Sequence, residues 1–505
     1  MTPAVGDAKR GSPWSATGSG MKISSQAMNW MGGRELLAMW RPASEAGADA
    51  ARHWPVLDEA AWLEERRCCL LLDEALSAGL LEGAVVREAL RELPSLDGAL
   101  TSLQAGGGAE MALLFRVKQV LFAVLGLLPQ VAAVAGYPLV EEAPVREVYA
   151  LLHAPGDPAS RFVLSTARSG ALQAAREAEL GCQRSLLTAR ASGASAEQLA
   201  PLQAAQDAAR AALLKVEAEV LSEVAEALRP AVATIAEAFA WVTSLDLRLA
   251  KCLLRSSWSG CWPERGGQLE VVEGHHPSVG AAVAARGGSF VLQSFALPAG
   301  VSMLTGANMG GKTVALQLAG LMLLCGASGL PAPARRVVFP AVDFVEVLAG
   351  QEQGSRHGLS SFGSEVVAWK SLLERPGSGF IIADEPARTT SPADGAALLE
   401  GLVAAVAARG WHGWFATHFA DAGQGVAVSA WAVAGLRGAV TESEMLGEGS
   451  LAALESRMDY RLVPADGSAA SDALRVAAAL GLGDEVLSIA RQFRASVESG
   501  SHRSG

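Results

Sequence analysis

The stretch LTGANMGGKTVALQLAGLMLLCGA, residues 304–327, decides how this chain folds. Within it Gly306, Gly311, Lys312 and Thr313 stand at the spacing G-x-x-x-x-G-K-T, with Ala307, Asn308, Met309 and Gly310 between the two glycines. Glycines let backbone N–H groups close around phosphate oxygens with no Cβ in the way. The preceding VSML predicts a short strand. VALQLAGLMLLCG predicts an apolar helix whose first N–H groups and dipole point at the same anion. Strand, glycine loop and helix together predict a Walker A cradle, with Lys312 on the phosphates and Thr313 on the accompanying cation.

Toward the C-terminus, GSGFIIADEP at 377–386 places four apolar residues before Asp384 and Glu385. That pattern predicts a central strand whose carboxyl end opens on the ligand crevice of a doubly wound sheet. An exposed Asp-Glu turn is the bland alternative. In the Walker B reading, Asp384 holds Mg²⁺ together with Thr313, and Glu385 orients or deprotonates the attacking water. WHGWFATHF at 411–419 predicts the next strand, with Thr417 and His418 at its end, where they could sense the γ-phosphate. LEVVEGHHPSV and SFVLQSFALP predict strands ahead of the glycine loop, and RRVVFPAVDFVEVLAG two more after its helix.

The first half reads differently. Apolar residues recur every three or four positions, as in Leu36, Leu37 and Trp40, then Trp62, Cys69, Leu72 and Leu76, which predicts helices. Residues 168–228 carry the Ala, Glu, Arg, Gln and Leu composition of long helices, broken at Ser192–Ser195, and predict an antiparallel hairpin. Pro230 opens a further helix toward Ser257, and the composition shifts near residue 260. The expected domains are a disordered tail over 1–32, with Met21 as a second candidate start, and an α-helical domain over 33–260. A P-loop ATPase domain over 261–440 and a C-terminal strand and helix segment over 441–495 follow.

A net charge of −11 argues against an overall basic, DNA-coating surface. The six cysteines show neither C-x-x-C nor zinc spacing and point to a reducing, cytoplasmic setting. The most apolar run, Val120–Ala135, is too short to span a bilayer, contains Pro129, and reads as a buried core helix; no membrane association is expected.

TGANMGGKT at 305–313, DEPARTTSPADG at 384–395 and FATHF at 415–419, in this order, resemble the ATPase domain of the MutS mismatch-repair family. SRHGLSSFGSEV at 355–366 is similar to that family's Ser-containing loop, with Ser360 and Ser361 as the matching residues. The resemblance implies ATP with Mg²⁺ as cofactors and a homodimer in which this loop reaches the partner's nucleotide. His276 and Pro277, in EGHHP, match the family's segment near the nucleotide base. DYRLVPADGSAASDALRVAAALGLGDEVLSIARQF at 459–493 resembles its C-terminal dimerising strand and helices. LPSLDGALTSL at 93–103 and residues 228–250 are similar to its core and lever helices.

The fold implied is an α-helical core/lever region followed by an α/β P-loop (ABC-type) ATPase domain. Departures are Ala307 where the family has proline, and Pro386 after the Asp-Glu pair. The first Phe is Phe115, and the lone Phe-x-Glu, Phe344-Val345-Glu346, falls in a predicted strand, so a truncated form without a mismatch-reading domain is expected. The hairpin around Ser192 is also short for the family's DNA clamp. Two clients remain open: DNA in a repair or recombination role, or a protein client such as a cobalamin-dependent amino-acid mutase, which truncated MutS-like ATPases are associated with reactivating. An ABC transporter subunit lacks support, since no LSGGQ-type signature occurs.

Overall fold

The computed structural model describes residues 21–54, 56–96, 98–105, 110–154, 156–306, 311–349, 361–419, 425–436, 458–465, 474, 477 and 482–501. They form two compact units. One comprises residues up to 40, then 54–66, then 253 onward, and the other comprises 41–53 and 67–252.

The second of these is helical. It contains α3 (Glu45–Arg52), most of α4 (Glu59–Ser77), α5 (Gly83–Arg91), α6 (Ala99–Gln104), α7 (Met111–Val131) and α8 (Glu142–Leu152). The long pair α9 (Gly170–Ala191) and α10 (Ala196–Leu228) and most of α11 (Val232–Trp258) complete it. The hairpin expected around Ser192 is present. Ser195 starts α10 with a capping box in which the Gln198 side chain accepts the Ser195 N–H at 2.9 Å. Asp246 on α11 is buried and accepts the Ala43 and Ser44 N–H groups at 2.8 and 2.9 Å, so its charge anchors the start of α3. The apolar run expected at Val120–Ala135 belongs to a longer helix, α7, whose 21 residues are long and apolar enough to cross a membrane; half of its most apolar window is buried inside the protein. Lys118 on that helix is fully buried, with its ammonium donating to the Pro158 and Arg161 carbonyls at 3.1 and 2.8 Å.

The other unit is an α/β structure. Its main sheet has seven strands in the order β1-β7-β8-β9-β5-β10-β11. These are β1 (Lys22–Ile23), β5 (Val301–Thr305), β7 (Phe344–Ala349), β8 (Gly379–Asp384), β9 (His412–Ala416), β10 (Ser429–Leu436) and β11 (Met458–Pro464). All neighbours pair in parallel except β11, which runs antiparallel to β10. A smaller mixed sheet orders β2 (Glu264–Gly266), β6 (Arg336–Pro340), β3 (Leu269–Gly274) and β4 (Gln293–Leu297). Phe380 to Ala383 in β8 are fully buried, as expected of a strand covered on both faces. The glycine-loop helix α13 (Lys312–Ala327) is buried nearly all round, which is why its sequence lacks a polar stripe. Helices α14 (Ser361–Leu373) and α15 (Pro392–Ala408) share a core with β5, β7, β8 and β9 through Trp369, Leu372, Leu399, Val403 and Phe415.

Three boundaries differ from the sequence expectation. The tail placed at 1–32 is structured from residue 21: β1 pairs with β7, and α1 (Ser25–Trp30) and α2 (Gly33–Met39) follow. Met28 and Met31 are fully buried, and a Cβ on Gly320 of α13 would meet Met31 at 3.2 Å. Residues 21–32 carry three methionines and a tryptophan, and their apolar burial against the central helix sets them apart from the polar, Gly/Ser-rich residues 1–20 that the tail expectation rested on. The helical domain, placed at 33–260, loses 33–40 and 54–66 to the α/β unit, and its far boundary lies at 252. Part of 54–66 terminates α13: Trp54 Nε1, Leu57 N–H and Trp62 Nε1 donate to the carbonyls of Ser328, Ala327 and Gly326 at 2.8, 3.1 and 2.6 Å. These are the acceptors that a helix end leaves unpaired. Finally, β11, assigned to a separate segment over 441–495, is an edge strand of the main sheet. Residues 441–457 lie outside the described residues, and α16 (Asp484–Ser501) is the last described element.

Candidate functional site

Strands β8, β9 and β5 lie side by side in parallel, so Asp384, Ala416 and Thr305 end on the same edge of the sheet. Single hydrogen bonds extend the ladder beyond them. Thr417 N–H donates to the Leu304 carbonyl at 2.9 Å, and Glu385 N–H to the Ala416 carbonyl at 3.0 Å. The three sequence motifs thus converge through main-chain pairing.

Two glycines shape the loop entrance. Gly306 has φ 133° and Gly311, the residue before α13, has φ 88°, backbone states that a side chain disfavours. Between them, Ala307, Asn308, Met309 and Gly310 lie outside the described residues. Lys312 is buried, donates to the Gly306 carbonyl at 2.7 Å, and stands 3.6 Å from Glu385 Oε1. Burial lowers its pKa, and the Glu385 and Asp384 carboxylates oppose that shift. Thr313 Oγ1 donates to Asp384 Oδ2 at 2.7 Å. Burial raises the Asp384 pKa; the Thr313 hydrogen bond works against this and the neighbouring Glu385 charge adds to it.

Glu385 has φ 51°, a left-handed backbone for a residue with a side chain, and its Oε2 lies 3.4 Å from Arg388. Ala387, two residues on, has φ 59° and is buried. Its N–H donates to Glu365 Oε1 on α14 at 2.8 Å. Neither Glu365 nor Arg388 was singled out from sequence, although both lie inside the quoted motif segments; only their contacts mark them.

The remaining expected residues make other contacts. Thr417 is buried and its Oγ1 accepts the Phe419 N–H at 3.0 Å, whereas His418 is exposed and packs its ring on Phe419, 4.3 Å between centroids. His276 is buried with Nε2 3.1 Å from the Met31 carbonyl, which ties the start of α12 (Pro277–Ala285) to the N-terminal segment, and Pro277 is the first residue of that helix. Ser360 lies outside the described residues, and Ser361 is the first residue of α14.

The Thr313 hydroxyl and Asp384 carboxylate are hard oxygen donors held together at the mouth of a phosphate-type loop. That donor set fits Mg²⁺, which takes few protein oxygens and completes its shell with phosphate and water. Among the described residues there is no cluster of three or more His, Cys, Asp or Glu that would hold a metal without such help.

The family model for MutS domain V matches residues 302–498. The chain is 32% identical over 271 residues to an "Endonuclease MutS2" of Thermomicrobium roseum, covering 50% of this chain and 32% of that protein. It is 28% identical over 218 residues to one of Clostridium perfringens, covering 41% and 27%. It is also 32% identical over 205 residues to a "DNA mismatch repair protein MutS" of Granulibacter bethesdensis, covering 39% and 22%. The chain therefore spans no more than about a third of the length of these curated relatives. Residues 302–498 are thus similar to MutS domain V, and the relatives that the chain matches include MutS2 and MutS proteins.

Proposed function

We propose that this protein is a MutS-like ATPase that binds and hydrolyses ATP with Mg²⁺ and uses the nucleotide state in a DNA-related role. The observation that carries the reading is the Thr313–Asp384 hydrogen bond, made beside Lys312 and Glu385 at the carboxyl edge of a parallel sheet. Lys312 pairs with the β- and γ-phosphates, Thr313 and Asp384 hold the metal, and Glu385 orients the water. Bound Mg²⁺ neutralises charge on the phosphates during transfer. The loop N–H groups from Gly306 to Thr313 cradle the phosphates, and Thr417 and His418 lie on the γ-phosphate side.

A homodimer with Ser360 and Ser361 completing the partner's site belongs to this reading, as does a helical core/lever role for residues 67–252. The six cysteines, all free, support a cytoplasmic setting. The test is ATP turnover by the whole chain alongside Lys312→Ala, which should lose ATP binding, together with anisotropy titrations on duplex and branched DNA across salt. DNA affinity should fall steeply as salt rises. Absence of turnover would remove the ATPase reading, and salt-independent or undetectable binding to every DNA would remove the DNA-related role.

A further inference from the structure

Glu385 and Ala387 both have left-handed backbones, at φ 51° and 59°. Two residues with side chains in that region within three positions persist only where the surroundings over-determine them. On one side the turn is held by the ladder bond from Glu385 N–H to Ala416. Pro386 follows and has no N–H to offer. The first donor beyond it is Ala387 N–H, which the Glu365 carboxylate accepts at 2.8 Å from α14. A carboxylate acceptor makes this bond charge-assisted, stronger than one to a neutral acceptor. Ala387 is 3% exposed, so if the bond were lost its N–H would have little access to water as a replacement partner.

We propose that Glu365 is a positioning residue for hydrolysis: by clamping Ala387 it holds the Asp384–Ala387 turn in the conformation that sets the Glu385 carboxylate 3.6 Å from Lys312. This rests on Glu385 being the water-orienting group. Without the clamp, Ala387 relaxes out of the left-handed region and carries the Glu385 backbone with it. The site then still binds ATP, because Lys312, Thr313 and Asp384 are untouched, but it aligns water poorly.

The experiment compares ATP affinity, kcat and unfolding temperature for the whole chain and five variants. Glu365→Ala should lower kcat about tenfold or more, in the range of a misplaced catalytic group, with ATP affinity no weaker than parental, because a displaced Glu385 also competes less with the phosphates for Lys312. Glu365→Gln, whose amide oxygen can accept the same N–H, should keep most of the rate. The double variant Glu365→Ala/Ala387→Gly should recover much of it, because glycine adopts positive φ without a Cβ penalty and no longer needs the clamp. Should Glu365→Ala fail to fold, Glu365→Asp, one methylene too short to reach Ala387, serves in its place with the same expected loss of kcat. A parental rate in the Ala or Asp variant, or a double variant as slow as Glu365→Ala, overturns the proposal. Glu385→Gln separates the two levels. If it turns over at the parental rate, the role of Glu385 itself is wrong; if it is slow while Glu365→Ala is parental, only the clamp is wrong.

Discussion

Replacing Glu385 by Gln should move ATP binding and ATP turnover in opposite directions. Without nucleotide, the buried Lys312 ammonium has the Gly306 carbonyl at 2.7 Å and the Glu385 carboxylate at 3.6 Å as partners. Arriving phosphates must compete with that carboxylate. At 3.6 Å and an effective dielectric near 20, the direct attraction is about 4–5 kcal/mol. Desolvation of the lysine cancels most of it, and charged hydrogen bonds retain about 1.5 kcal/mol net. Glu385→Gln removes this competitor, so ATP should bind about tenfold tighter. The same change removes water activation, and kcat should fall roughly 10²- to 10⁴-fold. Calorimetric titration with ATP and Mg²⁺ gives the affinity, and phosphate release under saturating ATP gives the rate. Weaker binding in the Gln variant would refute the competition argument, and unchanged turnover would refute the assignment of Glu385.

Three further outcomes are expected. Ser361→Ala and Lys312→Ala subunits, each poor alone, should on mixing regain roughly a quarter of parental ATPase, since random pairing in a two-fold dimer leaves one site in four intact; a rate that stays additive despite confirmed heterodimers would exclude a shared site. Burial raises the Asp384 pKa, so at neutral pH the folded chain is destabilised by keeping that carboxyl ionised, and the penalty fades as pH falls through the folded value. Asp384→Asn should therefore raise the unfolding temperature of the nucleotide-free protein at pH 7, with the gain shrinking toward pH 4; a gain that grows on acidification would reverse the sign. Trp62→Phe should cost about 1–3 kcal/mol in denaturant unfolding, through the lost donor to Gly326 and the volume left beside Phe339, and a cost under about 0.5 kcal/mol would refute the capping role.

The parts that were legible in the sequence are those whose determinants are local. The glycine loop, the apolar run into Asp384 and the Ser192 break each carry their structure within about ten residues, and α13, β8 and the α9–α10 hairpin follow them. What escaped depends on pairing over long separations. A two-residue strand such as β1 has no periodicity to detect, and its partner β7 lies more than 300 positions away. Trp62 read as part of a helical stripe, which it is, but its indole serves a helix end 264 residues later. The Glu365 clamp was hidden for a related reason: a glutamate four residues into a helix looks like a solvated charge until the turn beyond Pro386 is seen to need an acceptor.

The dependence of α13 on Trp54, Leu57 and Trp62 also sets an order for making the protein. The ribosome completes these residues, then residues 67–252, and only later the helix they close. At about 5–20 residues per second, the 264-residue gap between Trp62 and Gly326 lasts roughly 10–50 s. For that interval the two indoles and the buried Met28 and Met31 have no central helix to pack on, while the helical unit already has its own chain complete. A nascent chain stalled before residue 312 should therefore expose apolar surface at its N-terminal end, available to a chaperone, and lose that exposure once synthesis passes α13.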